Sequence, residues 1–135
     1  MLGQLADIST IDVSFISLKK IITVVSDLLK ETGEIVCLIK PQFEAGRDKV
    51  GKHGVVREAE THVDVLKDVL NFFINSSLMV KAISFSPIKG PEGNIEYLAH
   101  IMKKGALNCQ CNINDRLFSE IDDVVKRAHL ELNLI

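Results

Sequence analysis

The stretch Leu78–Met102, "LMVKAISFSPIKGPEGNIEYLAHIM", decides how the chain folds. Leu78–Phe85 is apolar and β-branched in the manner of a strand, and Ile95–Met102 reads as another. Between them "SPIKGPEGN" holds two prolines and two glycines, so no helix fits there. A parallel return would need a helical crossover, so these two strands pair as antiparallel neighbours.

Working outward, the earlier elements alternate. Ile8–Phe15, "ISTIDVSF", predicts a strand with Asp12 near its carboxyl end. Leu18, Ile21, Ile22, Val25 and Leu29 then fall at helical spacing, with Ser17 as N-cap and Gly33 as the stop. Ile35–Ile39 is a second strand, which Lys40 and Pro41 end. Ala59, Val63, Leu66, Val69, Leu70, Phe73 and Ile74 mark an amphipathic helix. After an irregular "KKGALNCQCN", Asn114 caps a last helix with Leu117, Phe118, Ile121, Val124, Val125 and Ala128 on its apolar face. The order β-α-β-α-β-β-α gives an α/β sheet, parallel at one side, with an antiparallel last strand pair. Residues 1–135 read as a single domain without repeats or linkers.

Composition is that of an ordinary globular domain, with 47% hydrophobic and 25% charged residues. The net charge of −2 gives no overall field for nucleic acid, so any basic site is local. Cys37, Cys109 and Cys111 are too few for a disulfide scaffold and lack a second zinc-ligand pair, which points to reduced thiols in a cytoplasm. His53, His62, His100 and His129 are scattered without metal-ligand spacing, so no metal site is expected. No apolar run is long enough to span a membrane, and the first residues do not read as a signal peptide.

Ligands of open α/β sheets sit beyond the carboxyl ends of the strands. Asp12 and Lys40 fall at two such ends. Glu96 starts the antiparallel fourth strand, so it belongs to the same edge. A Lys–Asp–Glu group can serve proton transfer: partial burial favours the neutral amine, and carboxylates orient it. From Lys40 to Arg57 there are five basic residues (Lys40, Arg47, Lys49, Lys52, Arg57) against Glu44 and Asp48, a patch suited to RNA phosphates. "GRDKVGKH", Gly46–His53, nearly spells a phosphate loop, but His53 replaces the hydroxyl residue that holds magnesium, and the loop does not follow its strand directly.

Four phrases carry a resemblance: "DVSFISLKKI" (Asp12–Ile21), "LIKPQFEAGR" (Leu38–Arg47), "GKHGVVRE" (Gly51–Glu58) and "SPIKGPEGNIEYL" (Ser86–Leu98). Together they resemble the TlyA hemolysin group of FtsJ-like RNA methyltransferases. That resemblance implies a Rossmann-like methyltransferase sheet and transfer of a methyl group from S-adenosylmethionine to a ribose 2′-hydroxyl of ribosomal RNA. Such enzymes use a Lys–Asp–Lys–Glu tetrad. By motif, Asp12 is its aspartate, Lys40 its second lysine and base, and Glu96 its glutamate. Asp12, Ser14 and Phe15 are assigned to the cofactor, and Arg47, Lys49, Lys52 and Arg57 to RNA.

The family's Gly-rich cofactor turn and the tetrad's first lysine would both precede Asp12. "MLGQLADISTI" supplies neither, and no S4-type RNA-binding domain is present. The sequence is therefore expected to be the C-terminal portion of the catalytic domain, with weak S-adenosylmethionine binding and no methyl transfer by this chain alone. Its first strand would be central in the intact fold. The edge at Ile8–Phe15 is accordingly expected to pair with a second copy or with the missing N-terminal half. The competing reading is a degenerate, non-catalytic domain that binds RNA or dimerises.

Overall fold

The structure, a computed structural model, describes residues 3–103 and 115–133. Its elements are β1 (Ala6–Ile11), α1 (Ile22–Asp27), β2 (Leu29–Ile39), α2 (Pro41–Glu44), α3 (Ala59–Asn75), β3 (Leu78–Phe85), β4 (Tyr97–Lys103) and α4 (Asp115–Leu132). Single 3₁₀ turns occur at Leu18–Lys20, Arg47–Lys49, Lys52–Gly54 and Pro91–Gly93.

The four strands form one sheet in the order β1-β2-β4-β3. β1 lies parallel to β2, while β4 is antiparallel to both β2 and β3. The expected antiparallel pair is therefore present, and β4 also fills the gap between β2 and β3, which run in the same direction. This is an α/β fold whose sheet is parallel at the β1–β2 side and antiparallel around β4.

Burial in the sheet follows the strand period. Ile35, Cys37 and Ile39 on β2 and Tyr97, Ala99 and Ile101 on β4 are buried and pair across the two strands. The alternate residues Val36, Leu38, Leu98 and His100 are half-buried. One face of the sheet thus belongs to the core that includes Leu66, Leu70 and Phe73 of α3 and Ile121, Val125 and Ala128 of α4. The apolar residues of α3 recur at helical spacing because that helix has one face to bury. Each such large side chain contributes about 1.5–3 kcal/mol by leaving water.

Several boundaries differ from expectation. β1 ends at Ile11 rather than Phe15, so Asp12, Ser14 and Phe15 lie just beyond the strand. The expected helix from Leu18 to Leu29 is a 3₁₀ turn followed by a helix of only two turns. Its run Ile21–Val25 is rich in β-branched residues, which helices hold less well. Leu29 and Gly33 are not the end of a helix but part of β2, which starts six residues earlier than Ile35. Lys103 fixes that turn by donating from Nζ to the carbonyls of Ser26 and Leu29 at 2.9 and 3.1 Å. Gly33 is required sterically, because a Cβ there would stand 2.7 Å from Leu29 Cβ. The loop after Lys40 is also more ordered than expected, with α2 and two 3₁₀ turns. Asn114, Cys109 and Cys111 lie outside the described residues.

Candidate active site

The carboxyl ends of β1 and β2 and the start of β4 meet at one edge of the sheet. Ile11 pairs with Cys37 and Ile39 pairs with Tyr97, so Asp12, Lys40 and Glu96 each sit one step past the last paired residues on the same side. Lys40 Nζ contacts Asp12 Oδ1 at 2.6 Å and donates to Ser14 Oγ at 3.3 Å. The Lys40 side chain is 10% exposed and that of Asp12 67%, so the amine is held inside the rim and the acid stands at its mouth. Glu96 is 7% exposed and accepts a hydrogen bond from Gln42 Nε2 at 2.9 Å. Pro41 opens α2 directly after Lys40, and this turn brings Gln42 back over the sheet edge.

The segment carrying Asp12, Ser14 and Phe15 is anchored to α2. Glu44 accepts from Ser17 Oγ at 2.7 Å and from the Leu18 amide at 2.8 Å. Burial raises the Glu44 carboxyl above its ordinary range, and these two hydrogen bonds act against that shift. Beneath it, desolvation and the Glu44 charge push the Cys37 thiol up to about 12, which makes it an inert core residue. Phe15 has φ 65°, the left-handed region that a bulky side chain rarely adopts, and is 90% exposed. Its ring lies 4.9 Å from that of Phe43, centroid to centroid. An exposed, strained aromatic next to a lysine–carboxylate pair is a feature of functional rims.

The far wall is the turn before β4. Asn94 Oδ1 accepts from the Val56 amide at 3.0 Å, and its Nδ2 donates to the carbonyls of Gly54 and Pro91 at 3.0 and 3.2 Å. Behind it His62, 1% exposed, donates from Nε2 to the Val56 carbonyl at 2.7 Å and accepts from Tyr97 Oη at 2.8 Å. Desolvation is the main cause that lowers its pKa to about 4, so the ring is neutral, and burial pushes the Tyr97 phenol up.

The structure thus brings Asp12, Lys40, Ser14 and Glu96 to one edge, with Phe15 beside them. Arg47, Lys49 and Lys52 are exposed on the two 3₁₀ turns. Lys49 lines a cavity with Glu44, Asp64 and Asp68, whereas Arg57 lines a separate one with Lys89. Sequence reasoning missed Gln42, Phe43, Asn94 and Tyr97. They stand inside the quoted phrases, but no spacing rule marks a glutamine or asparagine as a positioning group. Among the described residues no three His, Cys, Asp or Glu side chains gather as a metal site, and no helix is long and apolar enough to cross a membrane.

Residues 1–103 match the model of the FtsJ-like methyltransferase family. The Bacillus subtilis protein YqxC, provisionally named an rRNA methyltransferase, is 48% identical over 93% of this chain and 44% of its own length. The 16S/23S rRNA (cytidine-2′-O)-methyltransferase TlyA of Mycobacterium tuberculosis is 32% identical over 94% of this chain and 45% of its own. A solved structure from Streptococcus thermophilus, provisionally named a hemolysin, superposes with a TM-score of 0.86 at 43% identity, covering 97% of this chain and 45% of that one. The chain spans less than half the length of these relatives. On its residues and its fold, it belongs to the FtsJ-like methyltransferase family.

Proposed function

We propose that this chain forms the catalytic rim of an S-adenosylmethionine-dependent rRNA ribose 2′-O-methyltransferase. The observation that carries this reading is the 2.6 Å Asp12–Lys40 pair, with Glu96 across from Lys40 at the same strand ends. Lys40, in its neutral amine form, would accept the proton of the ribose hydroxyl as that oxygen takes the methyl group and the methyl–sulfur bond breaks. Asp12 and Ser14 aim the amine, and Glu96, held by Gln42, supplies a fixed acceptor beside it. Positioning of this kind removes up to about 7–11 kcal/mol from a barrier.

S-adenosylmethionine supplies an electrophilic methyl group. The residues present fit one side of it: the exposed Phe15 ring offers a stacking face, and the exposed Asp12 carboxylate and Ser14 hydroxyl offer polar contacts. The Gly-rich turn of the family pattern is not among these 135 residues. This chain therefore binds the cofactor weakly and transfers no methyl group by itself. Arg47, Lys52 and Arg57 contact rRNA, while Lys49 stands apart among Glu44, Asp64 and Asp68, and a ribosomal substrate puts the reaction in the cytoplasm. The open edge of β1, Ala6–Ile11, receives further strands or a second copy. That edge equally favours the second reading, a non-catalytic domain that dimerises or binds RNA.

A chimera in which this chain replaces the matching segment of M. tuberculosis TlyA tests the reading. Methylation of 16S or 23S rRNA by the chimera, and its loss on Lys40→Ala, is the expected result. A folded chimera that binds S-adenosylmethionine and leaves rRNA unmethylated overturns it. Calorimetric titration of the cofactor into this chain alone is expected to show weak binding, and turnover by this chain alone would refute that expectation.

A further inference from the structure

The cavity of ≈ 290 Å³ between the Val55–Arg57 segment and the turn before β4 has no role in the account so far. Its lining includes Arg57, Lys89, Gly93 and Asn133 and, among the described residues, no carboxylate. Lys19, Lys30, Lys40, Lys103 and Arg116 each have an acidic partner. Neither Arg57 nor Lys89 has one among the described residues. Two cations without an acidic partner among the described residues thus face one polar hollow.

The neighbouring cavity is a useful contrast. There Lys49 stands among Glu44, Asp64 and Asp68, a surrounding that repels an anion. Of the two hollows, only the one with Arg57 and Lys89 is electrostatically fit for a phosphate. Its size suits that ligand. At ≈ 290 Å³ it has room for a phosphate and lies at the lower limit for a whole small-molecule ligand.

Both walls are held before any ligand arrives. Asn94 ties Gly54 and Val56 on one side to Pro91 on the other, and the Gly90 amide donates to the Asn94 carbonyl at 2.7 Å. The wall also connects to the candidate active site. Lys89 precedes Gly90, which abuts the Glu96 carboxylate, and Ile95 lines the cavity one residue before Glu96.

We propose that Arg57 and Lys89 form a clamp for an RNA backbone phosphate flanking the nucleotide that reaches Lys40. The clamp rests on the RNA reading above. Lys89 enters as a binding residue outside the basic loop, and Arg57 separates in role from Lys49.

Two measurements on the full chain test it. In the first, a fluorescently labelled single-stranded RNA dodecamer is titrated at several salt concentrations. Arg57→Ala and Lys89→Ala each lower the slope of log affinity against log salt by about 1, and the double variant by about 2. Lys126→Ala, on the exposed face of α4, leaves it unchanged. Normal RNA binding with an unaltered slope in the folded double variant overturns the clamp and spares the RNA reading. In the second, inorganic phosphate is titrated into ¹⁵N-labelled protein. Saturable amide shifts at Arg57, Lys89 and Gly93, lost in the double variant, support the site. Such shifts without RNA binding by any form keep the anion site and sink the RNA reading. Absence of shifts at these residues overturns the site itself.

Discussion

Gln42 donates to Glu96 at 2.9 Å, while the amide's own Oε1 is buried and lacks a donor among the described residues. Glu96 is itself buried, so this donor, the one its carboxylate has among the described residues, matters to it. A buried polar group deprived of its partner costs about 1–3 kcal/mol, and Gln42→Ala is expected to destabilise the chain by that amount in urea denaturation. Gln42→Glu is the sharper test, because it sets two carboxylates against each other. Like charges raise the pKa of one of them in the folded state. The folded chain then binds more protons than the unfolded one at intermediate pH, and its stability rises as pH falls. At neutral pH Gln42→Glu should therefore unfold at lower urea than Gln42→Ala, and the gap should close towards acid. Equal stability of the two variants at every pH would show that the contact carries no weight.

Gly90 makes way for the Glu96 carboxylate. A Cβ at Gly90 would stand 2.5 Å from both Cδ and Oε2 of Glu96. The backbone there has φ −78°, which any residue adopts, so the need for glycine is steric and not conformational. Gly90→Ala is expected to displace the Glu96 head group. Overpacking costs about 1–3 kcal/mol, visible as a lower urea midpoint. In the methylation chimera the same substitution should cut the rate further than that loss of folded protein explains. An unchanged rate in folded Gly90→Ala would mean that the Glu96 position is not critical.

β1 has a free side in the described sheet, and its surroundings are apolar. Ile8 is 57% exposed, Leu5 49% and Phe15 90%. Open, hydrophobic strand edges recruit other strands. Light scattering is expected to show concentration-dependent association of the wild-type chain. Ile8→Lys, a charge on that edge, should shift it towards monomer. A monomeric wild type at high concentration would count against the edge as an assembly surface.

How much of this was legible in the residues depended on the kind of signal. The α3 helix and the β3–β4 pair were readable because their apolar periods are long and "SPIKGPEGN" leaves no room for a helix. The stretch Leu18–Gly33 misled because apolar spacing mimics a helix until Leu29, where pairing with Ala6 and the Lys103 contacts capture the chain as strand. Tertiary partners overrode local period there. Asp12, Lys40 and Glu96 could be placed at one edge from topology alone, since strand ends are fixed by direction. Gln42 and Asn94 could not. Their roles come from amide contacts over sequence separations of 54 and 38 residues, and a single sequence does not encode those separations in any period.

His62 supplies a pH-dependent contribution to stability. It packs between the Val56 carbonyl and the Tyr97 hydroxyl, with the His129 ring 4.7 Å away. Burial is the largest cause of its lowered pKa, the Val56 hydrogen bond opposes it, and His129 adds to it, leaving about 4 against an ordinary 6.5. Below pH 6.5 the unfolded chain takes up a proton that the folded chain refuses until about pH 4. Stability from this residue is therefore complete above the upper value and drains away as pH falls through that window. The loss reaches about 3 kcal/mol when fully developed. Glu44, whose folded carboxyl is raised, acts in the opposite sense, so the wild-type curve alone does not isolate His62. The difference between wild type and His62→Gln does, because Glu44 is common to both. Urea midpoints are expected to fall faster for the wild type than for His62→Gln between pH 6.5 and 4, and parallel curves would refute a buried neutral imidazole at this position.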